Sequence, residues 1–193
     1  MIIMIKLIAL LGNKGDIYKE SRHNSGWLFG DYLDPELKEG PFNEKFHGLW
    51  KKVIIEGKPI YFIKPLTYMN ESGKSIQAIK SYFSVEDDQI LVVHDDLELP
   101  FLTAKIQKGG PLAGHNGLRS IAKMTNSTSF LRLRIGIGRP KVGNVSSYVL
   151  SRFSKEEEPM LALFFENIAT TLRSYLAQGA PVEQLPITIK VLS

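Results

Sequence analysis

Apolar and polar residues follow each other along the chain with spacings that separate strands from helices. Continuous apolar runs, typical of strands buried in a parallel sheet, occur at 4–11 and 89–93. Four further segments have the length and composition of strands: 46–55, 60–63, 103–107 and 130–137. Apolar residues at helical spacing predict helices at about 24–33, 71–83, 116–124 and 156–177. The tail after about Gly179 fits neither pattern.

The order of these elements predicts the fold class. Strands that alternate with helices favour a single three-layer α/β domain over 1–193, with a mixed, largely parallel twisted sheet flanked by helices. Ligands of such sheets bind beyond the carboxyl ends of the strands. Asn13 and Asp95 lie just past the ends of predicted strands, and Asn70 lies in the loop after another. We therefore expect these three side chains to lie near one another.

Composition narrows the class of protein. With 193 residues, 44% of them hydrophobic, the chain is long enough for one globular domain with a core of its own. It contains no cysteine, which excludes disulfides, thiolate metal sites and a thiol nucleophile. The apolar stretch near the amino terminus is broken by Lys6 and is too short to span a membrane. We expect a cytoplasmic protein that does not bind membranes.

Charge is distributed unevenly along the chain. The net charge is +4, but the segment from Leu99 to Lys155 contains ten lysines and arginines and neither Asp nor Glu. Lysine and arginine displace counterions from phosphates, so this block is typical of a protein that binds a polyanion. The alternative is a solvated basic face without a partner.

His23 is the candidate general base. Histidine titrates near neutral pH, and Asp95 is the best candidate to accept a hydrogen bond from its second ring nitrogen and so orient the ring. Ser21 and Ser25 are close by, but the Gly-x-Ser-x-Gly sequence of an activated serine is absent. The pair therefore predicts a histidine that activates water, although a single histidine before a helix often has only a structural role.

Three asparagines accompany this pair. Asn13, Asn70 and Asn116 both donate and accept hydrogen bonds, which suits a peptide backbone, an ester carbonyl or a held water, and one of them could stabilise an oxyanion. The alternative is that they only shape loops. Tyr18 and Tyr68 have the rings needed to stack on unpaired bases or riboses, or they pack in the core.

The sequence contains residues for two other kinds of site. The glycine-rich segment 109–117 precedes a predicted helix, so its amides could face an anion, but it lacks the Walker sequence. A metal site is conceivable from five side chains, but no His-Glu-x-x-His spacing supports it, and we expect neither metal nor cofactor. Those five side chains are His23, His94, His115, Asp95 and Asp96.

Six motifs together resemble the bacterial-type peptidyl-tRNA hydrolase family, and they occur in that family's order. They are GNKGDIY (12–18), SRHNSG (21–26), KPLTYMNESG (64–73), HDDLELP (94–100), GHNGLRS (114–120) and RLRIGIGRP (132–140). The resemblance implies a monomeric α/β enzyme that needs no metal. It implies cleavage of the ester between a peptide's carboxyl terminus and the 3′-terminal ribose of tRNA.

Roles for single residues follow from the same resemblance. His23 is expected to accept the proton, Asp95 to stabilise its basic form, and Asn13 to help distinguish N-blocked from free aminoacyl ends. Arg134 falls where the family has a basic clamp for the 5′ phosphate of tRNA. The other residues expected to contact tRNA or peptide are Tyr18, Tyr68, Met69, Asn70, His115, Asn116, Lys105 and Lys108.

The chain departs from the family's pattern in three places. Lys14 stands where proline is usual, the 111–113 segment is poorer in glycine, and Gln107 occupies the second basic clamp position. We expect these differences to affect affinity and loop geometry more than the reaction. Two rival functions stay open from sequence: an RNA-binding module that has lost the chemistry, and a metal-dependent hydrolase.

Overall fold

One eight-stranded sheet forms the centre of the molecule. The computed structural model describes residues 2–191. Its strands are β1 (Leu7–Leu10), β2 (Asn43–Lys45), β3 (Gly48–Ile55), β4 (Lys58–Pro65), β5 (Ile90–Asp96), β6 (Thr103–Lys108), β7 (Leu131–Gly136) and β8 (Ile187–Lys190). Its helices are α1 (Ser25–Leu33), α2 (Pro35–Glu39), α3 (Ser72–Tyr82), α4 (Asn116–Thr125), α5 (Val145–Leu150) and α6 (Glu158–Ala177).

Strand order explains why the apolar runs are continuous. The order is β2-β3-β4-β1-β5-β7-β6-β8, with parallel pairing confined to the four central strands and antiparallel pairing on both sides. All residues of β1 and β5 are buried, as expected for parallel strands covered on both faces. The predicted mixed sheet is confirmed, and its parallel part is limited to this centre.

Helices cover the sheet on both faces, which gives the predicted three layers. Helices α1 and α6 pack on the face that carries Ile8 and Leu10, and α3 and α4 pack on the face that carries Leu7 and Ala9. Helix α1 approaches the sheet closely at Gly26, where an added Cβ would lie 2.6 Å from the Leu11 backbone. This close approach holds the start of α1 against the ends of β1 and β5.

Several element boundaries differ from the predictions for identifiable reasons. The helix predicted over 24–33 ends at Leu33 as expected, but Asp34 also starts a second helix, α2, because its side chain accepts a hydrogen bond from the Glu36 amide. The strand predicted to start at Phe46 starts at Gly48, because Phe46 and His47 have φ values of 60° and 54°. Short helix α5 was not predicted.

The chain after Gly179, which fits neither the strand nor the helix pattern in the sequence, joins the domain. Strand β8 pairs antiparallel with β6 and extends the sheet at its edge. The tail is therefore part of the same sheet that carries the predicted site.

Within residues 2–191, every helix falls short of the length and apolar character needed to cross a membrane.

Candidate active site

His23 and Asp95 meet at the carboxyl ends of the central strands. His23 lies in a 3₁₀ turn, Arg22–Asn24, immediately before α1, and Asp95 lies near the end of β5. His23 Nδ1 and Asp95 Oδ1 are 2.8 Å apart, and both residues are buried. Because Nδ1 is engaged by the carboxylate, Nε2 is the ring atom left to accept a proton from water.

A second imidazole binds the same carboxylate oxygen. His115 caps α4: its Nδ1 accepts hydrogen bonds from the amides of Gly117 and Leu118, at 3.1 and 3.3 Å. Since Nδ1 acts as an acceptor, the proton is on Nε2, which donates to Asp95 Oδ1 at 3.0 Å. Asp95 is therefore held from two sides, by the turn before α1 and by the start of α4.

His23, Asp95 and His115 form a hydrogen-bonded triad. The pKa values of His23 and Asp95 follow from their burial and from the carboxylate that the two imidazoles share. Burial opposes protonation of His23, but the charge and hydrogen bond of Asp95 outweigh it, so the pKa of His23 is raised above its usual value. Burial also opposes ionisation of Asp95, yet His23 and His115 hold the pKa of that carboxyl well below its usual range. The carboxylate is thus ionised at neutral pH and favours the charged form of His23.

His94 also lies next to Asp95, but its protonation differs from that of His23. Its Nδ1 donates to the Asp95 carbonyl at 2.7 Å, and its Nε2 is buried without a hydrogen-bond partner among residues 2–191. Burial, with the nearby His115 and Arg132, lowers the pKa of His94 to about 3. His94 therefore stays neutral, and it is not the candidate base.

Asn13 is fixed in one orientation by the backbone. Its Oδ1 accepts the Met69 amide at 2.8 Å, and Asn24 binds both its backbone N–H and its carbonyl. Because Oδ1 is occupied, the side chain presents Nδ2 as a donor. A buried, pre-oriented donor beside a general base is the arrangement that stabilises an oxyanion.

These residues line a cleft of about 570 Å³. Eight of the residues expected from sequence line it: Asn13, His23, Tyr68, Met69, Asn70, Asp95, His115 and Asn116. Its roof is α5, which contributes Val145, Ser146, Val149 and Leu150 and which no sequence pattern assigned to the site. The signal in the sequence was Asn144, whose side chain caps α5 by accepting the Ser147 amide.

Arg22, absent from the predicted site, anchors this roof next to His23. The Arg22 amide donates to the Ser151 carbonyl at 2.9 Å, and its guanidinium makes a bidentate pair with Glu157 at 3.0 and 2.7 Å. The guanidinium also lies over the Tyr148 and Phe153 rings, at 4.4 and 4.9 Å. The chain that follows α5 is thereby tied to the turn that carries His23.

Four of the predicted binding residues lie outside the cleft: Tyr18, Lys105, Lys108 and Arg134. Arg134, on β7, donates from Nε to Asp96 at 2.7 Å and from Nη1 to Gln107 at 2.8 Å. Burial opposes ionisation of Asp96, but the hydrogen bond and charge of Arg134 outweigh it. The pKa of Asp96 is therefore lowered, and its carboxylate keeps its negative charge. The positive charge of Arg134 is therefore partly neutralised within the protein.

The same side chains are those that a metal site would use. His23, Asp95 and His115 offer ligand atoms that lie within 4.8 Å of one another. However, both imidazoles use these atoms to hydrogen-bond Asp95 Oδ1, and the other nitrogen of His115 caps α4. A cation there would have to displace both hydrogen bonds, so the donor set fits a hydrogen-bonded triad better than a metal centre.

Comparisons with known proteins agree with the motifs. The family model described as Peptidyl-tRNA hydrolase matches residues 7–188. The peptidyl-tRNA hydrolase of Treponema pallidum is 42% identical over 194 residues, covering 98% of this chain and 93% of the relative. That of Sorangium cellulosum is 40% identical, covering 90% of this chain and 79% of the relative. The crystal structure of peptidyl-tRNA hydrolase from Acinetobacter baumannii has a TM-score of 0.84 and 33% identity, covering 93% of this chain and 91% of that chain.

Proposed function

The chain belongs to the peptidyl-tRNA hydrolase family and hydrolyses the ester of peptidyl-tRNA, and on this premise we propose how its own residues act. His23, oriented by Asp95, takes a proton through Nε2 from the water that attacks the ester carbonyl. The observation that carries this proposal is the 2.8 Å contact between His23 Nδ1 and Asp95 Oδ1. The raised pKa of His23 suits a base that must both accept and return a proton.

The proton and the bonds balance in two steps. Water oxygen bonds to the carbonyl carbon while its proton moves to His23 Nε2, and the carbonyl oxygen becomes an oxyanion. The intermediate then breaks the bond between that carbon and the ribose oxygen, and His23 returns the proton to the leaving oxygen. The products are tRNA with a free terminal hydroxyl and an N-blocked peptide with a free carboxyl group.

Asparagines supply the polar contacts around the reacting carbonyl. Asn13 donates from Nδ2 to the developing oxyanion, because the Met69 amide holds its oxygen in place. Asn70 and Asn116 are exposed in the cleft, and they bind the backbone of the peptide and the terminal nucleotide. Tyr68 and Met69 complete the wall beside them, and His115 positions Asp95.

The tRNA body lies on the side of the sheet that carries β7 and β6. Lys105, Lys108 and Arg134 are on these strands, within the segment from 99 to 155 that has no acidic residue. Phosphates compete with Asp96 for Arg134, and Gln107 takes the place of a second cation. Tyr18 is outside the cleft and contacts tRNA only beyond its terminal nucleotide.

We propose that the protein acts as a monomer in the cytoplasm, as the resemblance to the family implies. The absence of cysteine supports a cytoplasmic protein, working where peptidyl-tRNA is made. A metal-dependent reaction and an RNA-binding module without turnover are the rival functions.

One assay separates these functions. The purified protein is incubated with N-acetyl-aminoacyl-tRNA in excess chelator, beside His23→Ala, and released acyl-amino acid is measured. We expect full turnover in chelator and a loss of at least about 10²-fold for His23→Ala, the usual contribution of a general base. A urea unfolding midpoint close to that of the wild type verifies that His23→Ala is folded. Activity restored only by divalent ions, or equal activity of the variant, would overturn the mechanism.

A further inference from the structure

Strand order separates two groups of the predicted binding residues on opposite sides of Asp95. Tyr68 and Asn70 follow β4, whereas Lys105 and Arg134 lie on β6 and β7. Asp95, on β5, lies between them in the order β4-β1-β5-β7-β6. Adjacent strands are about 4.8 Å apart, so β4 and β7 are separated by about 14 Å. If the tRNA lies on the β7 side of the ester, the peptide lies on the β4 side.

Lys14 is on this β4 side. Its backbone N–H donates to the Thr67 carbonyl at 3.3 Å, which holds the loop after β1 against the loop after β4. Its Nζ lies 4.9 Å from the centre of the Tyr68 ring. Tyr68 is 51% exposed and lines the cleft, so the ammonium group stands at the rim of the cleft.

A second cavity, of about 530 Å³, opens beside Lys14 and contains no residue of the catalytic triad. Segment 66–71 forms the wall between it and the cleft, since Leu66, Thr67 and Glu71 line one and Tyr68, Met69 and Asn70 line the other. Its charged and polar lining is Lys14, Glu44, Lys45, His47, Thr67, Glu71 and Lys74.

The charges around this cavity leave Lys14 available. Lys74 is paired with Glu71, and Lys45 lies 4.1 Å from the centre of the Tyr82 ring. Lys14 has no carboxylate within 4.0 Å in the described part of the chain, although its charge contributes to the lowered pKa of Glu71 after the larger effect of Lys74. The ammonium group of Lys14 attracts a carboxylate from the substrate, and the Tyr68 ring holds that ammonium group at the rim of the cleft.

We propose that Lys14 and Tyr68 form a subsite for an acidic side chain of the peptide, within the last few residues before the ester. This inference rests on the proposed function, and it concerns specificity, not the reaction itself. An aspartate or glutamate that passes Tyr68 meets the Lys14 ammonium group, whereas a lysine meets a like charge. The enzyme therefore cleaves peptidyl-tRNAs with acidic peptides at lower KM than those with basic ones.

Two sets of three substrates test the subsite. One tRNA carries N-acetyl peptides that share their C-terminal residue and have Glu, Gln or Lys at the penultimate position in the first set and at the preceding position in the second. We expect kcat/KM for Glu to exceed that for Gln by about two- to fivefold at one of these positions, the effect of a solvent-exposed ion pair. Lys should be cleaved less efficiently than Gln. The difference should appear in KM and decrease at high salt.

Variants assign the preference to one side chain. Lys14→Gln should bring the Glu-to-Gln ratio to about one, and Lys14→Glu should reverse it. Lys19→Gln, a matched control, removes an exposed lysine outside both cavities and should keep the wild-type ratio. Ratios are compared within each protein, so a change in overall activity does not affect the result.

Two outcomes would overturn the subsite. A wild-type ratio of one at both positions, with the Gln peptide cleaved, would refute the inference and leave the proposed function intact. If Lys14→Gln raised KM equally for all three peptides and reduced the salt dependence, Lys14 would be a contact to tRNA phosphate instead. Failure of the wild type to cleave any of the substrates would refute the proposed function itself.

Discussion

Asp95→Asn is the most informative substitution, because it removes a charge and leaves the shape of the site. The asparagine Oδ1 can accept the same two hydrogen bonds, from His23 Nδ1 and His115 Nε2, so both rings keep their tautomers. What is lost is the negative charge that stabilises His23 when it carries two protons. The variant therefore measures the electrostatic part of the mechanism.

The size of the effect follows from the geometry. At 2.8 Å, a unit charge on Asp95 and one on His23 interact by about 6 kcal/mol with an effective dielectric constant of about 20. If about half of the proton charge has reached the ring in the transition state, about 3 kcal/mol of stabilisation is lost. This corresponds to a fall of about 10²-fold in kcat/KM at its pH plateau.

The pH profile gives an independent readout. His23 must be neutral to accept a proton, so kcat/KM falls as the pH drops through its raised pKa. Without the carboxylate, burial dominates and the pKa of His23 moves down. The acid limb of the profile should therefore shift to lower pH while the plateau falls.

The assay is hydrolysis of N-acetyl-aminoacyl-tRNA between pH 5 and 9, with tRNA affinity measured separately. Affinity should stay within about twofold of the wild type, since the carboxylate contacts imidazoles and not RNA. A plateau within about threefold of the wild type, or an unshifted acid limb, would refute the assignment of Asp95 as the group that stabilises charged His23.

Two further predictions concern residues outside the triad. Arg134→Ala should raise KM about tenfold for full-length peptidyl-tRNA and leave KM for a short 3′ fragment unchanged; an equal rise for both would refute a remote phosphate contact. The same variant leaves Asp96 buried without its partner, so its Tm should fall. Glu157→Gln breaks the bidentate pair with Arg22 and should lower the free energy of unfolding in urea by about 2 kcal/mol, with faster amide exchange around Tyr148 than in the sheet. Uniform exchange would show that this pair does not anchor the roof.

The helices, strands and motifs can be predicted from the sequence because each depends on a pattern of neighbouring residues. The apolar run of β1 and the helical spacing in α6 are properties of neighbouring residues, and each requires one or two apolar faces to be buried. Placement of Asn13 and Asp95 after strands was enough to predict that they share an edge of the sheet. The same reasoning does not reach α5, which is only six residues long and carries no periodic pattern.

Partnerships between distant residues were decided by the tertiary structure alone. Arg22 and Glu157 are 135 positions apart, and Arg134 and Asp96 are 38 apart, so neither pairing is contained in a local pattern. The sequence offered Asp95 as the candidate partner of His23, and the fold brings Nδ1 and Oδ1 to 2.8 Å. Only the folded chain determined that His115 binds the same oxygen, because this hydrogen bond depends on how α4 is seated against β5. Short-range periodicity specifies which face of an element is buried, whereas side-chain partners depend on how the buried faces are assembled.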